Sequence, residues 1–387
     1  MELITLELRP RLQSCNVFIS IRKDLCLKDV RVKLLESDVV LIVDDCSINF
    51  SLPSVKVIPT SLSMLSIINS WICFRLQTAP LESAFGSFGT EVLANSDKSA
   101  RPSADHLQPF LNDIKSLFET SECTILCACC KNVISRSIGF KRFLPLPDAD
   151  YDPGEWFCCK HNAGCNVVPS GVRPQRESDY LYGSCFSVLH RSIFAKGGIC
   201  ADSKTLTCNK CLLHIGTIHA YSLFKVWNCC VDYKPRNDGL PIVNATDPLD
   251  DFLTLVKDSL GEILGEEIAL ETSVGKQTHR LLIKPMDCKL NLITEPDRVT
   301  VCDTDVPTTT TVALQRKCAA KVLYKYETNE VTIIANYFNV KCHEVGLPIM
   351  EAGLNYLLSS TKRLPPIYRT AATGYFLGYI VLQEKTN

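Results

Sequence analysis

Cys127-Ala128-Cys129-Cys130 and Cys208-Asn209-Lys210-Cys211 are the two stretches on which the reading of this chain turns. Each is a C-x-x-C pair, a spacing that lets one tight turn aim two sulfurs at a common ion. Two such turns complete a tetrahedral Zn²⁺ shell at about 2.3 Å per sulfur. Cys127, Cys130, Cys208 and Cys211 are therefore the expected ligands of one structural Zn²⁺. The 77 residues between the pairs exceed the gap of an ordinary zinc ribbon, Cys129 adjoins Cys130, and Cys123 lies close by. The competing reading is that these thiols are small buried apolar residues, a common fate of free cysteine.

Working outward, 13 of the 21 cysteines fall between Cys123 and Cys230, a window of 108 in a chain of 387 residues. The first residues, Met1-Glu2-Leu3-Ile4, show no basic region ahead of an apolar core, so no secretory signal is expected. Apolar runs such as residues 39–43 fall far short of the ~20 needed to cross a bilayer, and no membrane association is expected. The cytoplasm is the expected compartment, with the nucleus as a second one. Thiols there act as ligands, nucleophiles or core residues far more than as disulfides. Forty-one Lys and Arg against 42 Asp and Glu leave a net charge of −1, which offers no field to hold a polyanion, so direct nucleic-acid binding is not expected.

A second constellation is Trp156-Phe157-Cys158-Cys159-Lys160-His161. A lysine or protonated imidazole beside a thiol raises its thiolate fraction, as a cysteine nucleophile requires. The same residues also make a metal donor set, or core packing, and the local pattern leaves all three open. Cys229 and Cys230 lie in a β-like run, where neighbours point to opposite faces, so one buried and one exposed thiol is expected. His214 and His219 follow the second pair closely enough to be substitute ligands, and Cys342-His343 reads as incidental. A serine nucleophile elbow, an H-E-x-x-H helix and a Gly-rich phosphate loop are all missing from the sequence.

Short β-prone runs at residues 2–8, 16–21, 30–34, 39–43 and 54–58 predict an antiparallel sandwich or barrel-like lobe over 1–84. A polar, Gly- and Ser-rich connection follows over 85–106. Leu107, Phe110, Leu111, Ile114, Leu117 and Phe118 keep helical spacing and open a cysteine-rich region over 107–244, within which 169–177 reads as a polar loop. From 245 the pattern changes. Leu249, Phe252, Leu253, Val256 and Leu260 form a helical stripe behind an Asp247-Pro248 cap. Beyond it come β-like runs at 280–284, 321–326 and 331–340, a helix over 349–358 and an apolar run over 375–382. The fold class expected is α+β, with a β-rich N-terminal lobe, a zinc-stabilised middle and an α+β part over 245–387.

The order of these pieces resembles the HECT-like ubiquitin ligases that bind ubiquitin-conjugating enzymes. The resemblance rests on Cys123-Thr124 before the first pair, Phe143-Leu144-Pro145-Leu146-Pro147, Glu155-Trp156 leading into Cys158-Cys159, and Tyr182-Gly183-Ser184-Cys185-Phe186. It continues through the second pair with Gly216, then Leu347-Pro348, Leu364-Pro365 and Tyr375-Phe376-Leu377-Gly378-Tyr379-Ile380. It implies a protein that accepts ubiquitin from a charged conjugating enzyme (E2) and promotes its transfer to substrates such as cyclin B. It also implies a cysteine near the middle Trp as thioester carrier, with Cys158 the first candidate and Cys159 the second. In relatives a His stands where Cys159 stands here, and His161 lies two positions later. A non-covalent, RING-like role is also compatible. The family further implies a different class of function, in which a zinc-stabilised factor binds the endonuclease subunit of the mRNA 3′-end cleavage machinery.

Overall fold

The computed structural model describes residues 3–21, 29–44, 46–80, 103–146, 176–202, 204–220, 222–262, 266–275, 277–295, 309–329 and 340–384. Strands dominate these residues, and three α-helices accompany them: Ser103–Thr120, Pro248–Glu262 and Leu347–Thr361. Among the described residues no helix is long and apolar enough to cross a membrane. The segment with Trp156, Cys158, Cys159 and His161, nearly all of the 85–106 connection and residues 331–339 lie outside the described residues. Contacts divide the chain into two units, Met1–Ser96 with Ile283–Lys325 and Tyr356–Asn387, and Asp97–Leu282 with Tyr326–Asn355.

The first unit is built on a β-sandwich. Leu3–Arg9 pairs antiparallel with Ser14–Ser20, which pairs with Trp71–Pro80. Val30–Leu34, Asp38–Val43 and Cys46–Ser51 form a second antiparallel sheet, joined in parallel by Thr309–Val312. Period-2 alternation sends Ile4, Leu6 and Leu8 to the same core as Val17, Ile19, Val39, Leu41 and Phe50. Each such side chain contributes roughly 1.5–3 kcal/mol when fully buried.

The other face of the first strand is covered too. Glu7 is fully buried there, accepting hydrogen bonds from Lys321 Nζ at 2.6 Å, Tyr379 OH at 2.7 Å and Asn16 Nδ2 at 3.1 Å. Lys321 and Tyr379 are themselves register partners in the strands Gln315–Asn329 and Phe376–Glu384. Strands from the far end of the sequence thus complete this unit, supplying the cation and hydroxyl that a buried carboxylate requires.

The second unit carries the cysteine pairs. In the helix Ser103–Thr120 the expected stripe is buried at Leu111, Ile114, Leu117 and Phe118, and the Phe118 ring meets Phe140 edge-on at 4.7 Å. Cys123–Cys127 then pairs antiparallel with Val231–Pro235. A seven-stranded sheet runs in the order Arg142–Pro145, Asp179–Tyr182, Phe186–His190, Leu223–Trp227, His214–Ala220, Thr205–Cys208, Ile199–Ala201. The cap at the start of Pro248–Glu262 is where the sequence places it, with Asp247 Oδ1 accepting the Leu249 N–H at 2.7 Å. In the helix Leu347–Thr361, a Cβ at Gly353 would sit 2.3 Å from Phe252 Cδ2, so a side chain is excluded where that ring packs.

Candidate metal centre

The two pairs end strands of different sheets. Cys127 closes Cys123–Cys127 and Cys208 closes Thr205–Cys208. After each, the backbone makes the same turn. The N–H of Lys131 donates to the Cys127 carbonyl and that of Leu212 to the Cys208 carbonyl, both at 2.9 Å. The N–H groups of Cys127 and Cys208 donate to Asn132 and Leu213 carbonyls, again at 2.9 Å. Lys131 and Leu212 have φ of 56° and 62°. A non-glycine residue in this left-handed region costs on the order of 1–3 kcal/mol and persists where the surrounding structure imposes it.

These twin turns bring Cys127, Cys130, Cys208 and Cys211 together, all four sulfurs within 4.8 Å of one another. Cys127 Sγ lies 3.6 Å from Cys211 Sγ, and Cys130 Sγ 3.6 Å from Cys208 Sγ. The edge of a tetrahedron with ~2.3 Å metal–sulfur bonds is about 3.8 Å, so the group is the size of such a shell. Cys127 and Cys208 are buried, whereas Cys130 and Cys211 are partly exposed. Four thiols this close suit a metal ion: burial first, and crowding by the neighbouring sulfurs, raise the Cys127 and Cys130 thiols above their usual range. Burial also opposes ionisation of Cys208. There the Cys211 and Lys210 backbone N–H groups and the Asn132 amide outweigh it and lower the thiol to about 6. One sulfur is thus disposed to ionise, and a divalent cation supplies what Cys127 and Cys130 need to follow.

The surroundings brace the pairs against each other. Asn132 Nδ2 reaches the Gly198 carbonyl at 3.2 Å and Cys208 Sγ at 3.6 Å, while the Asn209 N–H donates to the same Gly198 carbonyl at 3.2 Å. Gly198 allows this approach, since a Cβ there would lie 2.8 Å from the Val133 carbonyl oxygen. Asp232, buried, takes Lys131 Nζ at 2.6 Å and the Ala245 N–H at 2.9 Å. Asn132, Gly198 and Asp232 carry no spacing signal, and sequence reasoning missed them.

The other thiols and imidazoles stand apart from this group. Cys123 is buried, its thiol raised by burial to about 12, and Cys129 is exposed. Cys229 and Cys230 depart from expectation. Both are buried, because the chain leaves the strand after Trp227 and turns through a 3₁₀ segment, Asn228–Cys230, which removes the alternation of faces. Among the described residues the four-sulfur group includes no histidine. His214 is buried and burial lowers its basicity, whereas His219 is exposed. His343 Nε2 lies 3.0 Å from Ser259 Oγ. Cys158 and Cys159 lie outside the described residues.

The family model described as HECT-like Ubiquitin-conjugating enzyme (E2)-binding matches residues 7–376. No curated protein and no solved structure gives a significant match.

Proposed function

Since the chain belongs to the HECT-like ubiquitin-conjugating enzyme (E2)-binding family, we propose that it is an E3 ubiquitin ligase that docks a charged conjugating enzyme and promotes ubiquitin transfer to substrate lysines. The match over residues 7–376 carries this reading. The four-thiol group supports a structural role for Zn²⁺ held by Cys127, Cys130, Cys208 and Cys211, a closed shell with no open position for substrate. Zn²⁺ there cross-links two turns that are 78 to 84 residues apart in sequence.

Cys158, with Cys159 second, is the proposed carrier. Its thiolate attacks the thioester carbonyl between ubiquitin and the conjugating enzyme, and the enzyme's cysteine thiolate leaves. A substrate lysine amine then attacks the new thioester, forms the isopeptide bond, expels the thiolate and gives its proton to solvent or a nearby base. Lys160 and His161 favour the thiolate at the first step.

The test is a ubiquitin adduct on the full chain that a reducing agent cleaves. The adduct is expected to vanish in Cys158→Ser or Cys159→Ser with metal content and fold unchanged. Undiminished transfer in the double variant overturns the covalent route and leaves a RING-like one. Binding of the 3′-end endonuclease subunit with no conjugating enzyme bound at all assigns the chain to the processing machinery instead.

A further inference from the structure

In the second unit, the helix Ser103–Thr120, residues 240–247 and the first turns of the helix Pro248–Glu262 line an open cleft of about 650 Å³. Its apolar lining includes Phe110, Leu117, Pro241 and Ile242, and Ile242 is 44% exposed, a large apolar side chain left to water. Four carboxylates also line it, Asp113, Asp247, Asp250 and Asp251, and among the described residues no Lys, Arg or His does. The helix N-terminus adds about half a positive charge, and Asp247 answers it as the cap. Three carboxylates are left over.

Asp251 is the deepest of them. It is 6% exposed, accepts a hydrogen bond from Thr246 Oγ1 at 2.7 Å, and among the described residues has no ion-pair partner. Burial, with Asp250 and Asp247 adding to it, raises its carboxyl to about 7, as expected of an acid in a cleft that lacks its cation.

We propose that this cleft takes a lysine- or arginine-bearing segment of the client protein, its cations held by Asp113, Asp250 and Asp251 and its apolar neighbours laid against Phe110 and Ile242. An apolar wall with unmatched negative charge fits an amphipathic cationic chain, whose alkyl stems pack while the charged heads reach the carboxylates. The client is favoured over the conjugating enzyme because the acceptor of ubiquitin is itself a lysine amine, which this negatively charged cleft suits. The identity of the client rests on the ligase reading. The cation-binding chemistry of the cleft does not.

The experiment uses the full chain and fluorescence anisotropy with a labelled eight-residue peptide of alternating lysine and leucine. Its lysine-acetylated form serves as control, and binding of the conjugating enzyme is followed in parallel. Asp113 and Asp250 are exposed, so Asp113→Asn with Asp250→Asn leaves the core untouched, and Ile242→Ser tests the apolar wall. Acetylation and the double variant are each expected to weaken peptide binding about tenfold, and salt to weaken the wild type toward the same level. Ile242→Ser is expected to weaken both peptide forms. Equal affinity for the two peptides, or no change in the double variant, overturns the proposal. Loss of conjugating-enzyme binding in the double variant, with peptide affinity intact, also overturns it and gives the cleft to that enzyme. If no conjugating enzyme binds the wild type while the peptide pattern holds, the ligase reading fails and the cation-binding cleft stands.

Discussion

Lys131 and Leu212 share one left-handed backbone conformation, each a single residue past the second cysteine of its pair, with φ of 56° and 62°. Neither is glycine, the residue that adopts this region without a steric penalty. Leu212 is also 71% exposed, so its side chain has little packing to lose. Leu212→Gly is expected to stabilise the second unit by about 0.5–1 kcal/mol, or at least to cost nothing, in urea unfolding of the metal-loaded chain. A clear loss of stability would show that the side chain matters in a way the backbone argument omits.

An ion held by all four cysteines ties the two turns together, so removing it is expected to loosen them. A chelator should lower the thermal midpoint. Cys208→Ser should reduce bound zinc from one ion per chain to none and cost on the order of several kcal/mol, as measured by metal analysis with calorimetry. Protons compete for thiolates, so metal affinity should fall as the pH is lowered.

Much of this was legible in the sequence. The C-x-x-C pairs name their own partners because a tight turn leaves few other uses for that spacing, and Asp247-Pro248 marks a helix start because the cap is local. What escaped depends on contacts far apart along the chain. Asn132 matters only because the fold brings Gly198 and Cys208 to it. Asp113 and Asp250 read as ordinary solvated charges until two helices 128 residues apart are set beside one cleft. Cys46–Ser51 and Ser63–Ile68 were missed as strands. The second leaves Met64, Leu65 and Ile67 exposed and lacks the alternation that flags a half-buried strand, whereas Cys46-Ser47-Ile48-Asn49-Phe50-Ser51 does alternate apolar and polar residues and was legible.

Glu7 gives a prediction in the first unit. Burial works against its charge, but Lys321, together with the hydrogen bonds from Lys321, Tyr379 and Asn16, outweighs burial and holds the carboxyl below its usual range. Its contribution to stability is therefore present above the unfolded-state value and lost as the pH falls through the lower folded one. Lys321→Met, which leaves the buried carboxylate only the partly exposed Arg9 at 3.2 Å as a cation, is expected to cost up to about 3–5 kcal/mol at pH 7. Glu7→Gln should flatten the acid limb of stability against pH. An acid limb unchanged by Glu7→Gln would count against this assignment.

Asp251 behaves in the opposite sense. Its folded value near 7 lies above the ordinary 3.8, so the folded chain binds this proton more tightly than the unfolded chain. Stability should then fall as the pH rises between those values, by at most ~1.4 kcal/mol per unit from this group. Asp251→Asn, which keeps the shape and removes the charge, should be more stable than wild type at pH 8 and no more stable at pH 4. Denaturant midpoints at the two pH values decide it.

Gly353 tests the packing of the two later helices. Gly353→Ala forces a methyl toward Phe252 Cδ2, where the ideal separation would be 2.3 Å, and is expected to cost about 1–3 kcal/mol. Adding Phe252→Leu should recover part of that loss in the same unfolding assay, because it empties the space the methyl needs.

The most direct test of the account is equilibrium binding of the metal-loaded full chain to a panel of purified ubiquitin-conjugating enzymes, free and charged with ubiquitin. The account predicts that at least one binds saturably, and that in the charged form it gives up its ubiquitin faster in the presence of the chain. Failure of every member of the panel to bind would contradict it.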